Sequence, residues 1–282
     1  MKSRRAKQIL IAVAGLLSTA WGPGGTGTNG LLATYYQGQR NTFTDSVMKQ
    51  ALPASNPTVP NRIAGFTGPA MGKRNGVVLV HDAFGCALPH TASRTWGTET
   101  FVGQDLMNLG DSWLNGPLAA DQMDDVHTCL VARLNKFGVE VPIFLFGPHV
   151  RPVFASYTKY VYAEAVWLAT TGDPTNVTTD VWPLDDLKVM CGQDVSKIAE
   201  AIALRVCGGA TAQCGVTVHS EPMAQRCDAS PTGWSCSPSG AGPKRPAVAT
   251  RLGPCAWSKI YAESRCQMPQ PPPSTACAHG EP

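Results

Sequence analysis

The stretch GDSWLNGPLAADQMDDVH, Gly110–His127, decides between two ways of folding this chain. Read as chemistry, it offers Ser112 as a nucleophile, His127 as its base and Asp124 as the group that orients the base. Read as periodicity, it is the beginning of a helix. From Ala119 to Phe137 the apolar residues Met123, Val126, Leu130, Leu134 and Phe137 recur at three- and four-residue intervals, which is one face of an amphipathic helix. Asp121, Asp124 and Asp125 then sit near its start and Arg133 and Lys136 near its end, as the helix dipole favours, and Gly138 closes it. Asp124 lies one turn before His127, so a contact between them needs no catalytic purpose. Ser112 is fifteen positions upstream of His127, and adjacent helical turns rarely bring such a pair within hydrogen-bond reach. We therefore read the stretch as a helix start.

Downstream, VEVPIFLFGP (Val139–Pro148) reads as a strand, with Pro142 marking an edge or a strand start. A helix leading directly into a strand predicts a mixed α+β layer. YTKYVYAEAVWLA (157–169) reads as a second strand with Tyr160, Tyr162, Glu164, Val166 and Leu168 on one side, a helical stripe being the alternative. Tyr160, Tyr162 and Trp167 are candidates for a sugar-stacking platform, although such rings more often fill a core.

Upstream, WGTETFVG (96–103) reads as a hairpin. In NGVVLVHDAFGCALPH (75–90), Val77–Val80 look like a buried strand, yet Val77, His81, Phe84 and Leu88 also fall at helical spacing, and both readings stay open. As a strand, VVLVHDAFG would resemble the α/β hydrolases, with His81 near an oxyanion hole. That fold also needs a Gly-x-Ser-x-Gly elbow, and the chain has none. Residues 31–75 are polar, broken by Pro53, Pro57, Pro60 and Pro69, and predict irregular covering with one short helix around Thr44–Leu52. Gly25-x-Gly27-x-x-Gly30 matches a dinucleotide fingerprint in letters only. No strand precedes it, and a flexible start of the mature chain is the expectation.

The first twenty residues, MKSRRAKQILIAVAGLLSTA, have a basic head, an apolar run from Ile9 to Leu17 and small residues Ser18 and Ala20 at a cleavage spacing. They read as a secretory signal peptide, with the mature chain starting near Trp21. The run is too short to span a bilayer and no later segment does so, which disfavours a transmembrane protein. Loss of Lys2, Arg4, Arg5 and Lys7 takes the formal net charge from +3 to −1, so nucleic acid is not an expected partner. Charged residues make up only 15% of the chain against about 25% in ordinary domains, which suits a neutral extracellular surface. Asn176-Val177-Thr178 is formally a glycosylation acceptor.

Ten cysteines occur: Cys86 and Cys129 early, then Cys191, Cys207, Cys214, Cys227, Cys236, Cys255, Cys266 and Cys277. Export makes disulfides their default state. No two are closer than seven positions, which argues against a zinc site.

Two resemblances bear on these residues. GDSWL resembles the nucleophile block of SGNH ester hydrolases, but there the Asp-x-x-His lies far downstream and a Gly-x-Asn-Asp block intervenes; here the blocks adjoin and that block is absent. CALPHTASRTWGTETFVGQDL, followed by WLNGPLAADQMDDVHTCLVARLNKFGVEVPIFLFGP, resembles a group of secreted cysteine-rich proteins typical of myxobacteria and related bacteria. The matching residues are Cys86-Ala87-Leu88, Trp113, Gly116-Pro117-Leu118, Cys129, Asn135 and Gly138. The resemblance covers roughly 77–215 and implies that Val77–Leu88 is a helix and that Cys86 bridges to Cys129. AEAVWLATT keeps Glu164 and Trp167 but lacks the glycines expected around them. The group carries no assigned activity.

The expectation is an α+β protein, a small mixed layer of helices and strands followed by a loop-rich, disulfide-stapled C-terminal region. Its parts are a signal peptide (1–20), an irregular covering segment (21–75), an α+β core (76–190) and a cysteine-rich tail (191–282). Function reads as non-catalytic, an extracellular or cell-envelope binding or structural role without cofactor or metal. Its ligand would lie in the envelope or medium, polysaccharide among the candidates. The alternatives are a secreted serine hydrolase using Ser112, His127 and Asp124, and a carbohydrate-binding module using Tyr160, Tyr162 and Trp167.

Overall fold

The computed structural model describes residues 24–28, 31–32, 48, 74–96, 99–135, 141–151, 157–171, 177–207, 215–239, 242–268, 272 and 277. The signal peptide, the Asn176 acceptor, Gly138, Cys214 and, apart from Met48, the Thr44–Leu52 helix lie outside these residues.

The protein is α+β. Its main sheet runs in the order β1 (Gly24–Thr28), β6 (Pro142–Phe146), β12 (Arg245–Leu252), β7 (Tyr162–Thr171), β8 (Val177–Pro183) and β9 (Val216–Val218). Neighbours are antiparallel except β8 and β9, which are parallel. A hairpin of β10 (Cys227–Ser230) and β11 (Gly233–Cys236) adds to the first half of β12. Two small pairs stand apart: β2 (Leu31–Leu32) with β5 (Leu134–Asn135), and β3 (Ser93–Trp96) with β4 (Glu99–Val102). The helices are α1 (Arg74–Ala87), α2 (Ser112–Asn115), α3 (Ala120–Ala132), α4 (Asp185–Met190), α5 (Val195–Cys207) and α6 (Pro254–Ile260).

Side chains alternate across the sheet, so each central strand feeds two apolar layers. Ile143 and Leu145 of β6, Trp167 and Ala169 of β7, and Val248 and Leu252 of β12 join α1, α3, α5 and α6 in the larger core. Phe144, Phe146, Val166, Leu168, Trp182 and Ala249 face the other way, under the β10–β11 hairpin. The near-continuous burial of β7 follows from this two-sided cover.

Val77–Val80 belong to helix α1, not to a strand, and His81 is exposed on it. The strand on which an α/β-hydrolase reading depends is therefore absent at this place. Phe84 and Ala87 of α1 are buried against α3, and Phe84 meets Trp113 edge-on at 5.7 Å. The helix from Ala119 stops earlier than its apolar pattern suggests. Arg133 caps it, fully buried, with a 2.6 Å ion pair to Asp82 of α1, and the chain turns at once into β5. Arg133 thus serves the core and not the helix dipole. β1 pairs with β6 where the glycines predict a flexible start, because backbone pairing at a sheet edge does not require side chains.

The expected strand at 157–169 begins later, at Tyr162, after a 3₁₀ turn over Tyr157–Lys159. Its one-sided row is also broken. Thr250 pairs with Ala165 and Arg251 with Ala163, so Glu164 is the extra residue of a β-bulge, and the faces exchange there.

Disulfides join Cys86 to Cys129, Cys191 to Cys266, Cys227 to Cys236 and Cys255 to Cys277. Cys207 is also disulfide-bonded, and no described cysteine is free. The C-terminal region is stapled and it also supplies α5 and β12, the latter between β6 and β7. Among the described residues no helix is long and apolar enough to cross a membrane.

Candidate functional site

Three polar centres are built on this frame, and burial separates their chemistry. The first is sealed. Glu164, placed by the β7 bulge, pairs with Arg205 of α5 at 2.9 Å, and neither is exposed. Tyr261 donates its hydroxyl to Glu164 at 2.5 Å and Thr250 does so at 2.7 Å, while Trp167 donates its indole N–H to Thr250 at 2.8 Å. Arg205 also donates to the Ala132 carbonyl at 2.7 Å and lies 4.5 Å over the Trp167 ring. Burial, and then the Glu164 charge, push the Tyr261 phenol well above its ordinary pKa. With no solvent access, this network ties α3, α5, β7 and β12 together and has no substrate to meet.

Trp167 is thereby placed in the interior, and Tyr160 is buried in the opposite layer against Phe144. Tyr162 packs on Trp257. The three rings do not form an exposed row.

The second centre surrounds His219, which follows β9. Its Nε2 lies 2.7 Å from Asp180 and its Nδ1 2.8 Å from Glu221, and its ring stacks on Trp182 at 4.6 Å. Both bonds are donated only when the ring carries two protons. Burial pulls its pKa down, but the hydrogen bonds to Asp180 and Glu221 outweigh it, so the net shift is upward. The neighbouring pocket of about 360 Å³ is walled by Pro183, Val195, Ile198, Val218 and Pro222. With both ring nitrogens engaged, His219 is a clamp and not a free base.

The third centre is open. Trp113, wholly buried against Phe84, anchors the short helix α2 and leaves Ser112 at the rim of a polar pocket of about 340 Å³. Asp121, Gln122 and Asp125 of α3 form one wall, Asn108 and Leu109 another, and Pro148 and His149 a third. Asn108 and Asp105 hold φ of 51° and 53° in the loop, a left-handed conformation that Asn and Asp tolerate better than most residues. Gly147 sets the direction in which the chain leaves β6. A Cβ there would sit 2.4 Å from the Ala247 carbonyl oxygen, so glycine alone lets the strand pass β12 and turn toward His149.

Within this pocket His149 Nδ1 lies 2.8 Å from Asp125 Oδ2. That hydrogen bond is the main reason His149 sits above its ordinary pKa; burial opposes it, and the Asp125 and Asp121 charges add to it. Burial pushes Asp125 upward, with His149 partly offsetting the effect. Gln122 accepts the Ala119 backbone N–H at 3.1 Å, which turns its amide nitrogen toward Ser112 Oγ, also at 3.1 Å.

The residues that the sequence groups together are separated by the structure. Asp124 points to the end of β7, where it accepts the Thr171 N–H at 2.6 Å and hydroxyl at 2.7 Å and pairs with Arg245. His127 is completely buried and does not line the pocket that Ser112 borders. Asp124 and His127 are therefore not the partners of Ser112. Sequence reasoning missed His149 and Asp125, which are 24 positions apart and share no local pattern. Among the described residues no group of three or more His, Cys, Asp or Glu is placed to hold a metal ion.

Comparison of the chain with protein-family models, with curated proteins and with solved structures finds no match.

Proposed function

We propose that this is an exported protein that works in the cell envelope or the medium, in a binding role, with the pocket between α2, α3 and the Pro148–His149 turn as its binding site. The observation that carries export is the oxidised state of the described cysteines, above all the Cys191–Cys266 bridge across 75 positions. Such bonds persist outside the reducing cytoplasm. The leader-like first twenty residues and the resemblance to secreted cysteine-rich proteins support the same reading.

The pocket is the better binding candidate because its polar groups reach solvent. It combines the Asn108 and Gln122 amides and the Asp121 and Asp125 carboxylates with the apolar edges of Met107, Leu109 and Pro148, a mixture suited to a neutral, hydroxyl-bearing ligand such as a sugar unit of a polysaccharide. Fractionation of producing cells tests export. The expected product lacks the leader, starts near Trp21 and resists alkylation until reduced. Full-length cytoplasmic material with free thiols would overturn that part. Retention on insoluble polysaccharide, weakened by Asn108→Ala, tests the ligand class; retention that ignores the substitution would reject the pocket.

A further inference from the structure

We infer that Ser112, His149 and Asp125 form a nucleophile, a base and its orienting carboxylate, and that the pocket takes a small neutral carboxylic ester. This rests on the pocket being the binding site and adds a reaction to it. Asp125 holds His149 through Nδ1, the arrangement that fixes the tautomer and leaves Nε2 to accept a proton. No described residue hydrogen-bonds that Nε2. Asp125 is nearly sealed, with a side chain 7% exposed, whereas His149 is 45% exposed, so the orienting group is dry and the base reaches the pocket.

Ser112 borders the same pocket, and Gln122 explains how it is prepared. The Gln122 amide donates to Ser112 Oγ, so the hydroxyl's own proton stays available for transfer. Gln122 and Asp125 are one turn apart on α3 and hold Ser112 and His149 respectively. Ser112 and His149 share no direct hydrogen bond here, a common state of unliganded sites, but both line the one pocket into which a substrate would enter.

In the reaction, Ser112 Oγ adds to the ester carbonyl carbon as its proton passes to His149 Nε2. The developing oxyanion meets the Gln122 and Asn108 amides. The carbon–alkoxide bond then breaks, and the alcohol leaves with the proton from His149, giving an acyl-serine. Water adds next, its proton going to the same nitrogen and then to the departing Ser112 oxygen, which releases the carboxylic acid. Asp121 and Asp125 make the pocket negative, which disfavours anionic esters and selects neutral ones.

The test is labelling of the mature, disulfide-intact protein with a fluorophosphonate, mapped by mass spectrometry, alongside hydrolysis of p-nitrophenyl acetate. The expected result is one label on Ser112, none in Ser112→Ala, and a rate at least about 100-fold lower in His149→Gln. The charged groups facing His149 are Asp121 and Asp125, so the rate should rise with pH to a midpoint above the ordinary histidine value of about 6.5. Asp125→Asn should move that midpoint down, which a merely structural role would not do. Unfolding curves of each variant show whether the fold is kept, and if His149→Gln unfolds, the shift in Asp125→Asn decides. Absence of labelling, labelling at another residue, or a Ser112 rate indifferent to both variants would overturn the assignment. Since neither export nor polysaccharide retention is read here, failure leaves those results standing.

Discussion

Glu164 and Asp125 are both carboxylates held by a nitrogen partner within 2.9 Å, yet they belong to different kinds of site. Glu164 sits in a strand bulge, wholly covered by α5, α6 and β12, with Arg205, Tyr261 and Thr250 satisfying it. Asp125 sits on a helix flank where its partner, His149, swings out to solvent. The first arrangement removes charge from water and must be repaid by complete pairing. The second keeps one face wet, where a proton can be exchanged. What separates structure from chemistry in this protein is thus the cover over the charged group.

That contrast can be broken most forcefully at Arg205. Arg205→Met leaves Glu164 buried beside an apolar chain and should lower unfolding stability by about 3–5 kcal/mol in denaturant titration. Adding Glu164→Gln should recover part of the loss, and a null effect of the single variant would show that the network is not sealed. Next in size is the Cys191–Cys266 bridge. Replacing both residues by Ala should cost about 4 kcal/mol from loop entropy, against about 2.5 kcal/mol for the nine-position Cys227–Cys236 bridge, as measured by the same titration.

His219 gives an intermediate, pH-dependent case. Its folded pKa is raised, so its contribution to stability is complete below the ordinary histidine value of about 6.5 and is lost as pH rises through the folded value. Unfolding midpoints measured from neutral to alkaline pH should therefore decline, and His219→Asn should flatten the decline. The smallest effect belongs to the open pocket: Ser112→Ala should leave stability within about 0.5 kcal/mol, since the side chain is only partly buried. A large loss there would make Ser112 a structural residue.

Much of the α+β layout is legible in the residues themselves. Met123, Val126 and Leu130 mark α3, the apolar run after Pro142 marks β6, and both survive with shifted ends. Val77–Leu88 is ambiguous by spacing, and the group resemblance points correctly to a helix and to the Cys86–Cys129 bond. β12 is harder to see. Its middle is built from small residues, Ala247 and Ala249, and Pro246 is tolerated because pairing to β7 begins only at Val248. The Glu164 bulge is invisible because it depends on a partner strand 86 residues away. Arg205 does leave a trace, a cation on the stripe of Ile198, Ala201 and Ile202, where an apolar residue would ordinarily stand. The pocket leaves none: Ser112 is visible in its triplet, but its neighbours come from separate elements.

The place of β12 in the sheet has a further consequence for how the molecule comes into being. A growing polypeptide that ends before Arg245 presents β6 and β7 with facing rows of unsatisfied amides and carbonyls, and no local segment can fill the slot. Assembly of the sheet must wait until Arg245–Leu252 has emerged, which makes premature termination an aggregation hazard.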